Sequence, residues 1–513
     1  MRITHSRISR VLAALAAVTI ALPPSLPIAA SPAMEKLFFI LKSKGSLTQD
    51  EYDMLVAASR ADEKEKERSA PVAATSTTQG SSSSALERRI SQTESKVDNL
   101  ENAISNTRGQ VEEISKITDN TSPSTMSAAE LDTLLADKWY ERLKMKGYLQ
   151  VRADSVLHED GGQLHIQNDP FASDQSSIGI RRGRLAFSGD VTNHLYLYFQ
   201  ADYFASVNAT NGSQNVLQAR DYYADISLDP AREHRVRMGL SKVPYGFATM
   251  QSSQNRLALE RPEAISTAVE GERDFGAYYM WAPYEIRERF KNLVKMGLRG
   301  SGDYGLIAIG AFSGQGINRP DTNGQPHWLA RATYPFEFDN GQFLEIGVQG
   351  YAGKFNTTTA AIPGVGTPTN GNGNNRGFTD ARVGISAILY PQPFGIETEW
   401  NWGKGPVLSN DMRTINSASL SGGYVQANYR HVFASQKELI PFVRWQTYNG
   451  GRKFATNAPR DKVDEVGFGF RFIPYPELEL TAMFMHGVRT NTNVAPYRNV
   501  NYDYLGLQAQ VNF

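Results

Sequence analysis

The sequence predicts an all-β protein: a sixteen-stranded antiparallel transmembrane β-barrel, preceded by an N-terminal helical and coiled-coil segment on the periplasmic side. Three observations carry this. From Gly147 onward, stretches of about ten residues alternate between an apolar face and a polar, charged or glycine face, a length that suits a tilted membrane crossing. The connections between these stretches alternate short and long. The chain of 513 residues opens on an export signal and holds 43 Gly, 23 Tyr and 24 Phe but no Cys, a composition closer to a bacterial barrel than to a disulfide-bonded secreted domain.

Residues 1–30 read as a signal peptide. Arg2, Arg7 and Arg10 form a basic start, 11–22 an apolar core, and small residues allow cleavage after Ala30 or Ala33. The apolar core is too short to span a bilayer as a helix, and no other run is long enough. Residues 31–68 read as short helices, with Gly45 as a break and Thr48 with Glu51 as a capping box. Residues 69–84 are a Ser-rich linker.

Residues 85–118 carry heptads. Leu86, Ile90, Thr93, Val97, Leu100, Ile104, Thr107, Val111, Ile114 and Thr118 repeat at spacings of 4 and 3 without a slip. β-Branched residues at every a position, with mixed d positions, lean towards a trimeric coiled coil. Residues 119–146 are a polar linker, with a short helix expected around 131–143.

The barrel is expected over 147–513. Leu195, Leu197, Phe199, Ala201 and Tyr203 alternate with Tyr196, Tyr198, Gln200 and Asp202. Val383, Ile385 and Ala387 alternate with Arg382, Gly384 and Ser386, and Val466, Phe468 and Phe470 with Glu465, Gly467 and Arg471. Seventeen segments qualify as strands, but single-chain bacterial barrels have even numbers. The short-long order of connections restores sixteen if 274–301 is one strand plus an insertion.

One segment breaks the pattern. A strand at 234–242 places Val236, Met238 and Leu240 opposite Arg235, Arg237 and Ser241; then 243–272 shows neither alternation nor a helical stripe. A loop that long in a compact domain is usually functional, and here it is available to narrow the lumen. Pro244 ends the strand and Gly246 permits a sharp re-entry.

The residues around this loop resemble a known family. GLSKVPYGF at 239–247, LER at 259–261, RDFG at 273–276, GYLQ at 147–150, the pair Arg181 and Arg182, and the terminal Phe513 are similar to the phosphate-selective porins O and P. The resemblance implies a homotrimer of sixteen-stranded barrels, each with its third loop folded inward. It also implies an anion site built from Arg181, Arg182 and, in the fourth strand, Asp221. The family's first-strand arginine is Tyr148 here. The third-loop lysine falls near Ser253 and Gln254, with Arg256 the nearest base.

Charge adds an independent reading. Residues 147–513 contain 26 Arg and 8 Lys against 34 Asp plus Glu. By alternation Arg182, Arg184, Arg235, Arg237, Arg299, Arg382, Arg430, Arg444 and Arg471 face inward, as do Asp202, Asp221, Asp225, Asp380, Glu397, Glu399 and Glu465. Arg181 has the wrong parity, so it lies above the membrane band or a bulge turns it. Arginine favours planar oxyanions, whereas a wall of mixed sign weakens selectivity. The expected constriction places loop 243–272 opposite Arg181, Arg182, Arg235 and Arg237, with Glu260 and Arg261 as a pair anchoring the loop.

The expected function is a passive outer-membrane diffusion channel for small solutes, with anions such as phosphate favoured. Two alternatives stay open: a general porin with little charge preference, and a structural link between outer membrane and cell wall through the coiled coil. Expected partners are two further copies of the chain, outer-membrane lipid and lipopolysaccharide, and peptidoglycan at the coiled coil. A net charge of zero gives no sign of nucleic acid. No cofactor, metal or catalytic site is expected: the eight His show no ligand spacing, and Asp274-Phe275-Gly276 lacks the other kinase motifs.

Overall fold

The computed structural model describes residues 142–160, 164, 166, 169, 177–205, 215–491 and 495–513. The expected signal peptide, the helices of 31–68, the linker 69–84, the coiled coil 85–118 and the linker up to 141 lie outside the described residues.

Sixteen strands form the wall: β1 Lys144–Glu159, β2 Ser177–Asp190, β3 Leu195–Ala205, β4 Asn215–Ser227, β5 His234–Lys242, β6 Arg273–Trp281, β7 Ile307–Phe312, β8 His327–Glu337, β9 Phe343–Phe355, β10 Phe378–Leu389, β11 Phe394–Leu408, β12 Thr414–Tyr429, β13 Glu438–Gly451, β14 Arg460–Tyr475, β15 Leu478–Thr490 and β16 Asn499–Asn512. Each pairs antiparallel with its neighbours in sequence. β1 closes on β16 with Tyr148 opposite Asn512 and Arg152 opposite Gln508, so the sheet has no free edge. The first strand begins at Lys144, inside the stretch expected to be linker.

Alternation sorts the side chains as expected. On β10, Val383 is 56% exposed on the outer face while Arg382 is 2% exposed; on β14, Phe468 is 56% exposed and Glu465 2%. The outer face is the lipid-compatible one, because a charged residue there would lose its water without a partner. Short turns gather at one rim and long loops at the other. In barrels of this class the short turns face the periplasm.

One connection at the turn rim is long. Between Trp281 and Ile307 the chain forms the helix α3, Tyr284–Lys295. Two single-turn helices, α1 Phe247–Met250 and α2 Glu263–Ser266, lie in the loop between β5 and β6. The insertion expected inside 274–301 is therefore helical. Pro283 stands at its N-cap, Glu285 in its first turn and Lys295 in its last, each suited to the helix dipole. Gly297, at φ 70°, closes it: its N–H bonds the Val294 carbonyl at 3.1 Å, and the Leu298 N–H bonds the Leu293 carbonyl at 3.1 Å. Among the described residues no helix is long and apolar enough to cross a membrane.

Candidate functional site

Loop 243–272 lies in the lumen, and almost all of it is buried. A chain with little regular structure leaves its own amides and carbonyls unpaired, and burying them bare would be costly. Wall side chains supply the partners. Arg152 of β1 donates to the Leu259 carbonyl at 3.0 Å, and Lys242 of β5 to those of Met250 and Gln251 at 2.9 and 2.7 Å. Arg382 of β10 reaches the Ala264 and Thr267 carbonyls at 3.1 and 2.9 Å, and Asn401 of β11 reaches Ala264 at 3.0 Å. Arg444 of β13 holds the Glu260 carbonyl at 2.7 Å, and Arg471 of β14 the Gln254 carbonyl at 3.1 Å. Much of the inward positive charge is spent on loop backbone.

The re-entry uses Gly246, at φ 78° and ψ 145°, a region closed to side chains in practice. A Cβ there would sit 2.0 Å from Glu399 Oε1. The Glu399 carboxylate instead accepts the Ala248 N–H at 3.1 Å, capping α1 from the wall.

Arg181 and Arg182 converge on one carboxylate. Arg181 Nε donates to Glu260 Oε1 at 2.9 Å and Arg182 Nη2 to Oε2 at 2.9 Å; Arg152 Nη1 donates to Oε1 at 3.0 Å, with Arg256 at 3.7 Å. Arg182 also donates to Gln150 Oε1 at 3.0 Å. The parity conflict at Arg181 resolves as a bulge. Gln150 pairs with Arg182 and Val151 with Ile180, so Arg181 is the extra residue and turns inward. β4 repeats the device: Gln200 pairs with Asp221 and Ala201 with Ala219, leaving Arg220 bulged.

Several expectations change. Glu260 and Arg261 do not pair with each other: Glu260 meets the wall, while Arg261 meets Glu272 within the loop at 2.5 Å. Arg256 bridges Glu272 at 3.1 Å. Asp221 is not beside the Arg181–Arg182 pair's carboxylate; it receives Arg273 of β6 at 2.9 Å. Arg235 and Arg237 do not face that pair across the loop. Arg237 is bidentate on Asp225 at 2.7 and 2.8 Å, and Arg235 meets Asp303 at 2.6 Å. Arg299 and Arg430 are not wall residues, because they sit in the β6–β7 insertion and the β12–β13 turn. For Arg235 and Arg237 the reason is that alternation tells which face a side chain takes, not which partner meets it; for Arg299 and Arg430 it is that the strands end before them.

Below the loop, towards the turn rim, a cavity of about 420 Å³ remains between the wall at β1–β5, the loop and the insertion. Its basic lining is Lys146, Arg184, Arg237, Lys242, Arg273 and Lys291; its acidic lining is Asp221 and Asp303. Behind these, Asp202 pairs with Arg184 at 2.9 Å and Asp225 with Arg237. Tyr148, Tyr196, Tyr198, Tyr223 and Tyr304 complete the polar surface. The Arg237 guanidinium lies 4.0 Å from the Tyr223 ring centroid and 5.2 Å from that of Tyr304, which fixes its orientation. At the mouth, Lys291 hydrogen-bonds Glu288 on α3 and thereby holds that carboxyl below its usual range.

Arg152, Arg273, Lys242 and Lys146 escaped the sequence reading. Arg152 shares the phase of Tyr148 and Gln150, so its inward direction was readable there. Among the described residues no group of three His, Asp or Glu is placed to hold a metal.

The family described as phosphate-selective porin O and P matches residues 151–513. No curated protein matches the chain. Among solved structures, the chain is similar to the outer membrane channel DcaP of Acinetobacter baumannii, at 12% identity and a TM-score of 0.43, covering 72% of this chain and 97% of that one. It is also similar to Salmonella typhi OmpF in complex with daunomycin, at 13% identity and a TM-score of 0.45, covering 72% and 97%. An anion-selective porin from Comamonas acidovorans matches at 11% identity and a TM-score of 0.40, covering 72% and 99%.

Proposed function

The chain belongs to the phosphate-selective porin O and P family, and from that premise we propose that this outer-membrane channel passes small solutes passively with a preference for anions such as phosphate. The observation that carries the reading is the lining of the cavity below the loop. Six basic side chains meet two carboxylates on the lining itself; Asp202, Asp225, Glu272 and Glu288 pair with Arg184, Arg237, Lys242 and Lys291 from behind it, so the excess of cations belongs to the surface a solute touches. An anion entering this space exchanges water for guanidinium and ammonium donors, and the contacts are dispersed enough to let it leave. Arg181, Arg182 and Arg256 support the loop that shapes the space, and Glu260 anchors it. Arg237 and Asp221 line the route itself.

A second reading, a general porin with little charge preference, draws on the pairing of Arg184, Arg237 and Arg273 with acids. The proposed assembly is a homotrimer with its outer face against lipid and lipopolysaccharide and its coiled coil 85–118 towards peptidoglycan.

The test is the reversal potential of the purified channel in a planar bilayer across a KCl gradient. The expected sign is that of an anion-preferring pore. A Lys146→Glu, Lys291→Glu double variant should move it towards cations. If wild type shows no preference and the variant does not move, the general-porin reading stands instead.

A further inference from the structure

Helix α3 exists because 282–306 has the stripe and the stop of a helix. Ile286, Phe290 and Leu293 fall on one side, and Gly297 ends the run. What the stripe packs against locates the helix. Its partners are Phe343 at the start of β9, Ile388 at the end of β10, Tyr390 just beyond it, and Phe247 of the lumen loop. Ile388 and Phe247 are interior residues, so α3 lies in the mouth of the barrel and not on its outer surface.

After the helix the chain continues across the opening. Gly297 backs onto the Arg430 guanidinium. Arg299 donates to the Asn255 carbonyl at 3.2 Å and lies 3.6 Å from Glu479 of β15, while its own carbonyl accepts Gln251 Nε2 at 2.8 Å. The return leg is pinned at β5, where Asp303 takes Arg235 at 2.6 Å and Arg287 at 3.0 Å. Loop and insertion are thus bonded to each other and to walls on separate arcs. Among the described residues, an opening beside them is the cavity under β1–β5, whose residues Lys146, Lys291 and Val294 put its mouth at the turn rim.

We propose that the 282–306 insertion is a second, exit-side constriction: solute crosses the turn rim only through the passage between the insertion and β1–β5, past Tyr148, Arg237, Lys291 and Tyr304. This rests on the chain being a conducting channel but not on the sign of its selectivity. The insertion is a fixed part of the pore wall, and Arg237, clamped between Asp225 and two tyrosine rings, is an immobile donor that each passing small oxyanion meets.

The absence of cysteine makes the test clean, because any introduced thiol is unique. Ser252→Cys on the loop and Lys291→Cys on the insertion line the passage; Asn428→Cys on β12 lies on the far side of the insertion. Each full-length variant is reconstituted and treated with a bulky neutral methanethiosulfonate, and labelling is confirmed by mass. The expected result is a fall of about half or more in single-channel conductance for Ser252→Cys and Lys291→Cys, with no change for Asn428→Cys. A variant with 284–303 replaced by a short turn should conduct several-fold more. Labelled Ser252→Cys and Lys291→Cys at full conductance, or block at Asn428→Cys, overturns the route. A silent wild type that opens only on deletion of 284–303 also overturns it, since the insertion would then be a closed plug. A conducting wild type without anion preference, blocked as described, supports the route while defeating the selectivity reading.

Discussion

The Tyr148 hydroxyl and the Ser253 hydroxyl lie 2.6 Å apart, joining the first strand to the lumen loop. The family resemblance sets its first-strand arginine at Tyr148 and its third-loop lysine near Ser253 and Gln254. Arg184 Nη1 closes the group by donating to Ser253 Oγ at 2.8 Å. Two residues at separate points in sequence thus form one neutral contact at the edge of the passage. A Tyr148→Arg, Ser253→Lys double variant should raise the anion-to-cation permeability ratio, read from reversal potentials. An unchanged ratio would mean that this edge of the passage does not sort ions.

Glu260 is the shared counter-ion of Arg152, Arg181 and Arg182. Glu260→Gln keeps the shape and removes the charge; Arg152 and Arg181 keep Asp169 at 2.9 and 3.9 Å, but the buried Arg182 loses its ion pair, at a cost of about 3–5 kcal/mol. Urea unfolding of the reconstituted barrel should show the loss, and added sulfate should restore part of it where chloride does not. Arg261→Gln, whose partner Glu272 lies within the loop, should cost less.

Arg181 and Arg182 both bond Glu260 of the loop and are not among the residues lining the cavity below it. The double Ala variant should therefore keep an ion ratio close to wild type while its open-channel current becomes noisier, as an untethered loop fluctuates. A large shift towards cations would place the pair on the solute's path.

Gly246→Ala should destabilise by about 1–3 kcal/mol from backbone conformation alone, before the clash with Glu399 is added. Limited trypsin digestion should then cut after Arg256, which is buried in the docked loop, whereas the Arg261–Pro262 bond resists trypsin in either state. Resistance equal to wild type would show that the re-entry tolerates a side chain.

The heptads of 85–118 carry their own expectation. The isolated peptide should be helical and trimeric in sedimentation equilibrium; a monomer would leave the barrel wall as the only candidate contact for the proposed trimer.

The wall was legible in the sequence because lipid on one side and a polar interior on the other impose a period of two, as at Arg382 and Val383. The lumen loop was legible as the place where that period fails. Its fastenings were not. Arg181 points inward through a bulge, which adds a residue and inverts the parity used to orient it. Its partner Glu260 is 79 residues away, and spacing along a chain says nothing about such meetings. Helix α3 had a readable stripe in Ile286, Phe290 and Leu293 with Gly297 as its stop. A twelve-residue helix carries only one short stripe, and it followed directly on the strand ending at Trp281.

The fastenings at the junction of β1 and β16 bear on the order of assembly. Gln150 bonds Gln510 at 2.7 Å and the Ser253 carbonyl at 3.4 Å; Gln510 bonds the Gln254 carbonyl at 3.2 Å; Arg152 spans Gln508 at 2.8 Å and Leu259 at 3.0 Å. The same side chains stitch the last seam and grip the loop. A cylinder that zipped shut first would have to admit thirty residues through its rim and dehydrate their backbone afterwards, whereas a loop already seated offers both seam strands a ready surface to close around. Seating and closure are in that sense a single event, and chains with a loosened loop are expected to linger in the membrane as open, protease-sensitive sheets.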